Sequence, residues 1–204
     1  LAVVAAEYVL GGKDPGVYIN EGLEIDRTGK LFRDDPIVTA VPAASRELFF
    51  RDYGNPRYYS QRFAMGVFLN DPSTGSVISQ WPHLFPASIA IGAHWAGPLG
   101  ATNIPGVWAV LGLLAVYFFG ARLIGRLPAF AAVAVLAMHV MEVWFGRYPN
   151  AEVVMQALLF ATLLALVRGQ DEDGYFGWIA GCLTVLLIFL RFDAFIAVAA
   201  IADD

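Results

Sequence analysis

Between Trp81 and Met141 the chain carries only two charged residues, Arg122 and Arg126, and residues 104–121 are eighteen consecutive positions without a charge. Coiled as a helix, such a run matches the roughly 30 Å hydrocarbon core of a bilayer. It therefore predicts a membrane-spanning helix. Three further apolar stretches, 127–146, 150–168 and 175–202, have Pro128 and Asn150 at expected helix starts and read as further spans. The expected fold is an all-α, polytopic helical membrane bundle. Composition agrees: 58% of residues are hydrophobic, 15% are charged, and the mean hydropathy is +0.59.

The amino-terminal half reads differently. Of the 31 charged residues, 17 lie between Gly11 and Gln80. Residues 11–102 are thus expected to form a polar domain ahead of the membrane block at 103–204, whose first span is 103–121. Within that domain, Tyr18, Leu23 and Ile25 suggest a short surface helix over 17–25, ended by Asp34-Asp35-Pro36. Residues 63–69 and 76–79 flank a turn at 70–75 and predict a small hairpin. Residues 84–98 are apolar but only fifteen long, with Pro86, His94 and Trp95, which suits an interfacial or re-entrant helix. Residues 1–10 read as the outer end of a truncated first transmembrane helix, and the chain as a fragment of a longer protein.

Orientation follows from arginines. Arg122 and Arg126 fill one interhelical link and Arg168 closes the next helix, so the positive-inside rule places these links in the cytoplasm. Residues 11–102 and the link at 147–150 then share the external face. The net charge of -5 offers no basic patch for nucleic acid. The single cysteine, Cys182, permits no intrachain disulfide or metal-thiolate cluster.

Two acids fall on that shared face. Asp14 follows Gly11-Gly12-Lys13 and precedes Pro15-Gly16, a turn-forming context. Glu152 follows Arg147-Tyr148-Pro149-Asn150, where an acid in a helix's first turn also complements the helix dipole by about 0.3–1 kcal/mol. Each has a structural explanation by itself; together they mark a candidate site. The Gln80-Trp81-Pro82-His83-Leu84-Phe85-Pro86 segment suits the headgroup layer, where His83 can also meet a phosphate or an acid. Inside the apolar stretches, His139 with Glu142 and Arg191 with Asp193 are costly in lipid and suit either interhelical pairing or a ligand groove.

Asp14 with Tyr18, the Trp81–Pro86 segment, and Trp144-Phe145-Gly146-Arg147-Tyr148-Pro149-Asn150-Ala151-Glu152 together resemble the GT-C superfamily of integral-membrane glycosyltransferases. Protein O-mannosyltransferases and the aminoarabinose transferases of lipid A belong to it. The resemblance covers the chain nearly end to end, as the amino-terminal module of such an enzyme. It implies a polyprenyl- or dolichyl-phosphate sugar donor, a glycan, lipid or protein acceptor, and Asp14 and Glu152 as the loop acids. Tyr18, His83, Arg147 and Arg191 would bind substrate. A divalent metal is not demanded; if used, Asp14 and Glu152 would hold it. Two positions depart from the family pattern. The usual pair of acids is Asp14-Pro15 here, and the Lys-Pro-Pro-Leu of aminoarabinose transferases is Trp81-Pro82-His83-Leu84.

The expected function is inverting sugar transfer on the external face of a plasma membrane by a multi-pass protein, the fragment alone being inactive. A transporter or lipid flippase, with His139, Glu142, Arg191 and Asp193 along a pathway, is the rival reading.

Overall fold

The structure, a computed structural model, describes residues 13–50, 62–64, 66–71 and 73–196. The expected helix end at 1–10, Gly11 and Gly12, and the last part of the 175–202 stretch lie outside the described residues. Helix α1 (Asp14–Thr28) starts with Pro15 in its first turn, where a missing N–H costs nothing, and ends at Gly29. Gly29 is left-handed, with φ 67, and its N–H returns to the carbonyl of Ile25 at 2.8 Å. Asp14, Tyr18 and Glu21 fall at i, i+4 and i+7 and so share one face. Tyr18 and Glu21 on that face are buried, as are Ile19 and Gly22 beside it.

A small antiparallel sheet follows. Strands β1 (Phe32–Asp34), β2 (Arg62–Ala64), β3 (Val67–Asp71) and β4 (Ser76–Ser79) lie in the order β1-β4-β3-β2. Short helices α2 (Pro36–Ala40) and α3 (Arg46–Phe49) fill the connection after β1. Asp71 organises the β3–β4 turn: its Oδ1 accepts from the Ser73 N–H at 2.8 Å and its Oδ2 from the Thr74 hydroxyl at 3.1 Å. Val38, Phe50, Val67, Leu69 and Val77 form a minor core of their own. The fold is therefore mostly helical with a sheet, not all-α. The expected hairpin is present between β3 and β4. Two strands extend it, because β1 pairs along β4 and the 63–69 stretch divides at Gly66.

Helix α4 (Leu84–Ile124) contains the decisive break. Ala96 (φ -140, ψ 22) and Gly97 (φ 60, ψ -150) leave helical geometry, and Pro98 begins the second limb. The limbs then double back. The indole N–H of Trp108 donates to the Ser88 hydroxyl at 3.1 Å, although twenty residues of continuous helix would separate them by about 30 Å. Gly92 and Gly100 make the close approach. A Cβ on Gly92 would lie 2.7 Å from the Gly100 carbonyl oxygen, and one on Gly100 would overlap the Gly92 carbonyl. The interfacial or re-entrant segment expected at 84–98 is the first limb of this hairpin.

Helix α1 lies along that first limb. Tyr18 meets Phe85 edge-on at 5.1 Å, and Gly22 sits against Ile89 and the Pro86 carbonyl. Helix α5 (Arg126–Met138) and the short α6 (Val140–Phe145) are separated at His139, whose extended backbone (ψ 135) breaks the single helix expected over 127–146. His139 Nδ1 accepts from the Met141 N–H at 3.3 Å, so a polar side chain caps the new start. Helix α7 (Glu152–Asp171) packs on α4 and α8 (Tyr175–Leu190). The helical core joins Tyr18, Ile19, Phe85, Ile89, Val154 and Leu187. Helix α8 stops at Leu190. Arg191 is extended and Asp193 lies in a following 3-10 turn, so both stand past the helix rather than within it.

Among the described residues, two helices, α4 and α7, are long and apolar enough to cross a membrane; α5 and α8 are apolar but shorter. Only 11% of the apolar window of α4, and 33% of that of α7, is buried inside the protein.

The Gly92–Gly100 contact makes a specific prediction. Gly100→Ala should lower unfolding stability by about 1–3 kcal/mol through overpacking against backbone that cannot move aside. Gly174→Ala, where nothing lies within 4 Å of the added carbon, should leave it nearly unchanged. Denaturation followed by circular dichroism on both variants checks the contrast.

Candidate functional site

Four segments of the chain meet around a cavity of about 260 Å³. Helix α1 contributes Asp14 and Tyr18 from its first turns, and the approach to α4 contributes Trp81 and Pro82. The start of α7 brings Asn150 and Glu152. The end of α8 brings Leu190 and Arg191, followed by Phe192 and Asp193. Lys13 enters α1 with φ 71 and ψ -179, a positive-φ region that residues other than glycine rarely adopt, at a cost of about 1–3 kcal/mol.

Arg191 is the electrostatic centre. Its Nη1 donates to Glu152 Oε1 at 2.8 Å, while Nε and Nη2 grip Asp193 through both carboxylate oxygens at 2.8 and 3.0 Å. Three of the five guanidinium N–H groups are thus used, which leaves two for a ligand oxygen. Charge at the cavity comprises three carboxylates, Asp14, Glu152 and Asp193, against the single guanidinium.

Tyr18 is only 4% exposed yet lines the cavity. Burial holds its phenol above the usual range, reinforced by the negative charges of Asp14 and Glu152 and opposed by Arg191. The hydroxyl therefore stays protonated and can donate. Two other polar atoms of cavity-lining residues, Glu152 Oε2 and Trp81 Nε1, are buried with no hydrogen-bond partner among the described residues. One is an acceptor and the other a donor, and such orphans are costly unless something polar reaches them.

Asp14, Tyr18, Glu152 and Arg191, all selected from sequence, are brought to this cavity. His83 and Arg147 are not among its lining residues. His83 instead bonds Glu21: its Nδ1 donates to Glu21 Oε1, the carboxylate having only acceptors to offer. Eleven residues further along α4, His94 Nδ1 and Asp26 Oδ1 make a second such pair at 3.2 Å. These contacts tie α1 to the first limb of α4. Arg147 lies in the turn after α6.

Sequence reasoning missed Glu21 and treated Asp193 as intramembrane. The signal for Glu21 was its i+7 spacing from Asp14; for Asp193, nothing in the apolar pattern announced that α8 ends at Leu190. A divalent metal does not fit the residues present. Among the described residues, no three His, Cys, Asp or Glu side chains are grouped to hold one, and Arg191 takes Glu152 Oε1 and both oxygens of Asp193. Compared with known protein families, with curated proteins and with solved structures, the chain matches none.

The Glu21 hydrogen bond raises the His83 pKa above the usual imidazole value, against the opposing effect of burial. The pair therefore contributes stability that is complete below about pH 6.5, the pKa of an unfolded histidine, and is lost as pH rises through the raised folded value. Unfolding midpoints measured from pH 5.5 to 9 should fall across that window, and Glu21→Gln should flatten the His83 contribution.

Proposed function

We propose that this chain is the amino-terminal part of a membrane glycosyltransferase resembling the GT-C superfamily, acting on a polyprenyl-phosphate sugar at the cavity between α1, α7 and α8. The observation that carries the reading is the meeting of Asp14 and Glu152 at one cavity, although 138 positions separate them in the chain.

Helix α7, twenty residues or about 30 Å long, sets the geometry, with Glu152 at one end and Asp171 at the other. Its length equals the thickness of a hydrocarbon core. The second limb of α4, α5 and α8 would lie in the bilayer beside it, α5 and α8 as short or tilted elements. Large apolar side chains facing outward from these helices support that placement: Phe118, Leu127, Phe130, Trp178 and Phe189 are all more than half exposed. With the arginines of the opposite end in the cytoplasm, the cavity lies at the external surface of a multi-pass plasma-membrane protein.

In the reaction, Asp14 takes the proton of an acceptor hydroxyl. The freed oxygen forms its bond to the anomeric carbon from the face opposite the phosphate, and the bond from that carbon to the phosphate oxygen breaks. The lipid phosphate leaves with the electron pair, and the sugar is inverted. The two spare N–H groups of Arg191 face the growing phosphate charge. A sugar hydroxyl, being donor and acceptor at once, satisfies both Glu152 Oε2 and Trp81 Nε1. The Tyr18 hydroxyl supplies a further donor. A glycan, lipid or protein would provide the acceptor hydroxyl, and His83 acts by fixing α1 rather than by touching substrate.

The transporter reading draws support from the interruption between α5 and α6 at His139, since broken helices mark many transport sites. Its pathway residues nevertheless separate here, Arg191 and Asp193 lying at the cavity and His139 serving as a helix cap.

Membranes holding the full-length protein should irreversibly consume radiolabelled polyprenyl-phosphate sugar. Asp14→Asn should lower that rate by about 10²–10⁴-fold with expression and folding retained. Wild-type turnover by this variant would remove Asp14 from the mechanism; movement of intact donor between leaflets would favour transport.

A further inference from the structure

A second cavity, of about 690 Å³, opens at the other end of the helical block. Its charged lining consists of Arg122 from the last turns of α4, Arg126 from the start of α5, and Arg168 from the last turn of α7. Deeper along the same helices, Tyr117, Phe118 and Leu164 supply an apolar wall. Phe118 precedes Arg122 by four residues and Leu164 precedes Arg168 by four, so the apolar wall lies about 6 Å further into the helical block than the cations.

We propose that this cavity binds the headgroup and upper acyl chains of an anionic phospholipid in the cytoplasmic leaflet. The layering is that of a lipid, with cations at the rim and apolar surface beneath. The inference rests on the membrane placement of α4 and α7 and not on sugar transfer.

Local acids do not saturate the arginines. Arg122 pairs with Glu172 and lies 3.5 Å from Asp171. Arg168 Nε donates to the other oxygen of Glu172 at 2.9 Å, and its guanidinium lies 3.9 Å from the centre of the Phe176 ring. Arg126 has no hydrogen bond or ion pair among the described residues and is exposed. Two carboxylates therefore face three guanidinium groups, and the unmatched one can reach a phosphate. A phosphodiester offers oxygens to more than one guanidinium at once, which is the geometry arginine favours. Basic pockets between helices on the cytoplasmic side recognise acidic lipid headgroups for this reason.

The test uses the purified full-length protein reconstituted in nanodiscs of equal phosphatidylglycerol and phosphatidylcholine, released for native mass spectrometry. Wild type should retain phosphatidylglycerol in excess over phosphatidylcholine. Arg126→Gln breaks no side-chain hydrogen bond or ion pair among the described residues and should reduce that excess about fivefold, the factor expected for one basic residue at an anionic surface. Lys30→Gln, outside the cavity, should leave it unchanged. Equal retention by Arg126→Gln and wild type would overturn the site, as would displacement of the lipid by millimolar inorganic phosphate, which would mark a free-anion site. Alkaline carbonate extraction separates the two layers of the argument. Release of the protein from membranes would overturn the placement and the site together, whereas a membrane-retained protein without lipid preference would overturn the site alone.

Discussion

The close approach of Gly92 to Gly100 carries the rest of the architecture. Without side chains at these two positions, the two limbs of α4 bring backbone against backbone, and an apolar segment that would otherwise run straight reverses at Ala96 and Gly97. The reversal presents Phe85 and Ile89 as a surface on which α1 packs. It also fixes the position of Trp81 and Pro82 just before the hairpin. Since α1 leans on the hairpin, the location of Asp14 and Tyr18 depends on a glycine contact well away from them in sequence. The His83–Glu21 and His94–Asp26 pairs fasten the same interface by hydrogen bonding.

The two ends of α7 differ in a way that follows from ordinary electrostatics. At Glu152, one guanidinium is held among three carboxylates; at Arg168, three guanidinium groups meet two. The arrangement at each end agrees with the helix dipole, acid at the amino end of α7 and base at the carboxyl end. The consequence reaches further than one helix, because α4 also terminates near Arg122 and contributes to the same basic end. An acidic, polar cavity and a basic, partly apolar one are thus held about one hydrocarbon thickness apart. That separation gives the two ends of the helical block different chemistry.

Much of this was legible in the residues because local rules decide it. The turn at 70–75 between β3 and β4 was read correctly through backbone preferences that act over a few positions, whereas the end of α1 at Gly29, five residues before the expected break at Asp34-Asp35-Pro36, was not. Apolar runs revealed α4 and α7 for the same reason, since hydropathy needs no knowledge of partners. The cavity residues Asp14, Tyr18, Glu152 and Arg191 were chosen from residue type and position. The failures occurred where one particular contact, near or distant in sequence, outweighed the hydropathy pattern. Pairing with β4 makes residues 32–34 a strand, and an imidazole cap at His139 divides a stretch whose hydropathy is continuous. A histidine that reads as a substrate contact, His83, is instead claimed by Glu21 sixty-two positions away.

The sequence by itself determined that the chain is strongly apolar after Gln80, that its charges gather before that point, and that apolar runs follow, four of which read as spans although only two of the described helices are long enough to cross a bilayer. These are properties of composition and of near neighbours, for which free energies of transfer and backbone sterics suffice. Only the tertiary structure decided that α8 stops short of Arg191, and that Arg191 then bridges Glu152 and Asp193 beside Asp14. It also decided that Arg126 has no ion pair among the described residues while Arg122 and Arg168 share Glu172. The physical reason is the same in each case. An ion pair depends on the distance between side chains carried by separate helices, and that distance is set by packing, as at Gly92 and Gly100, which no local pattern encodes.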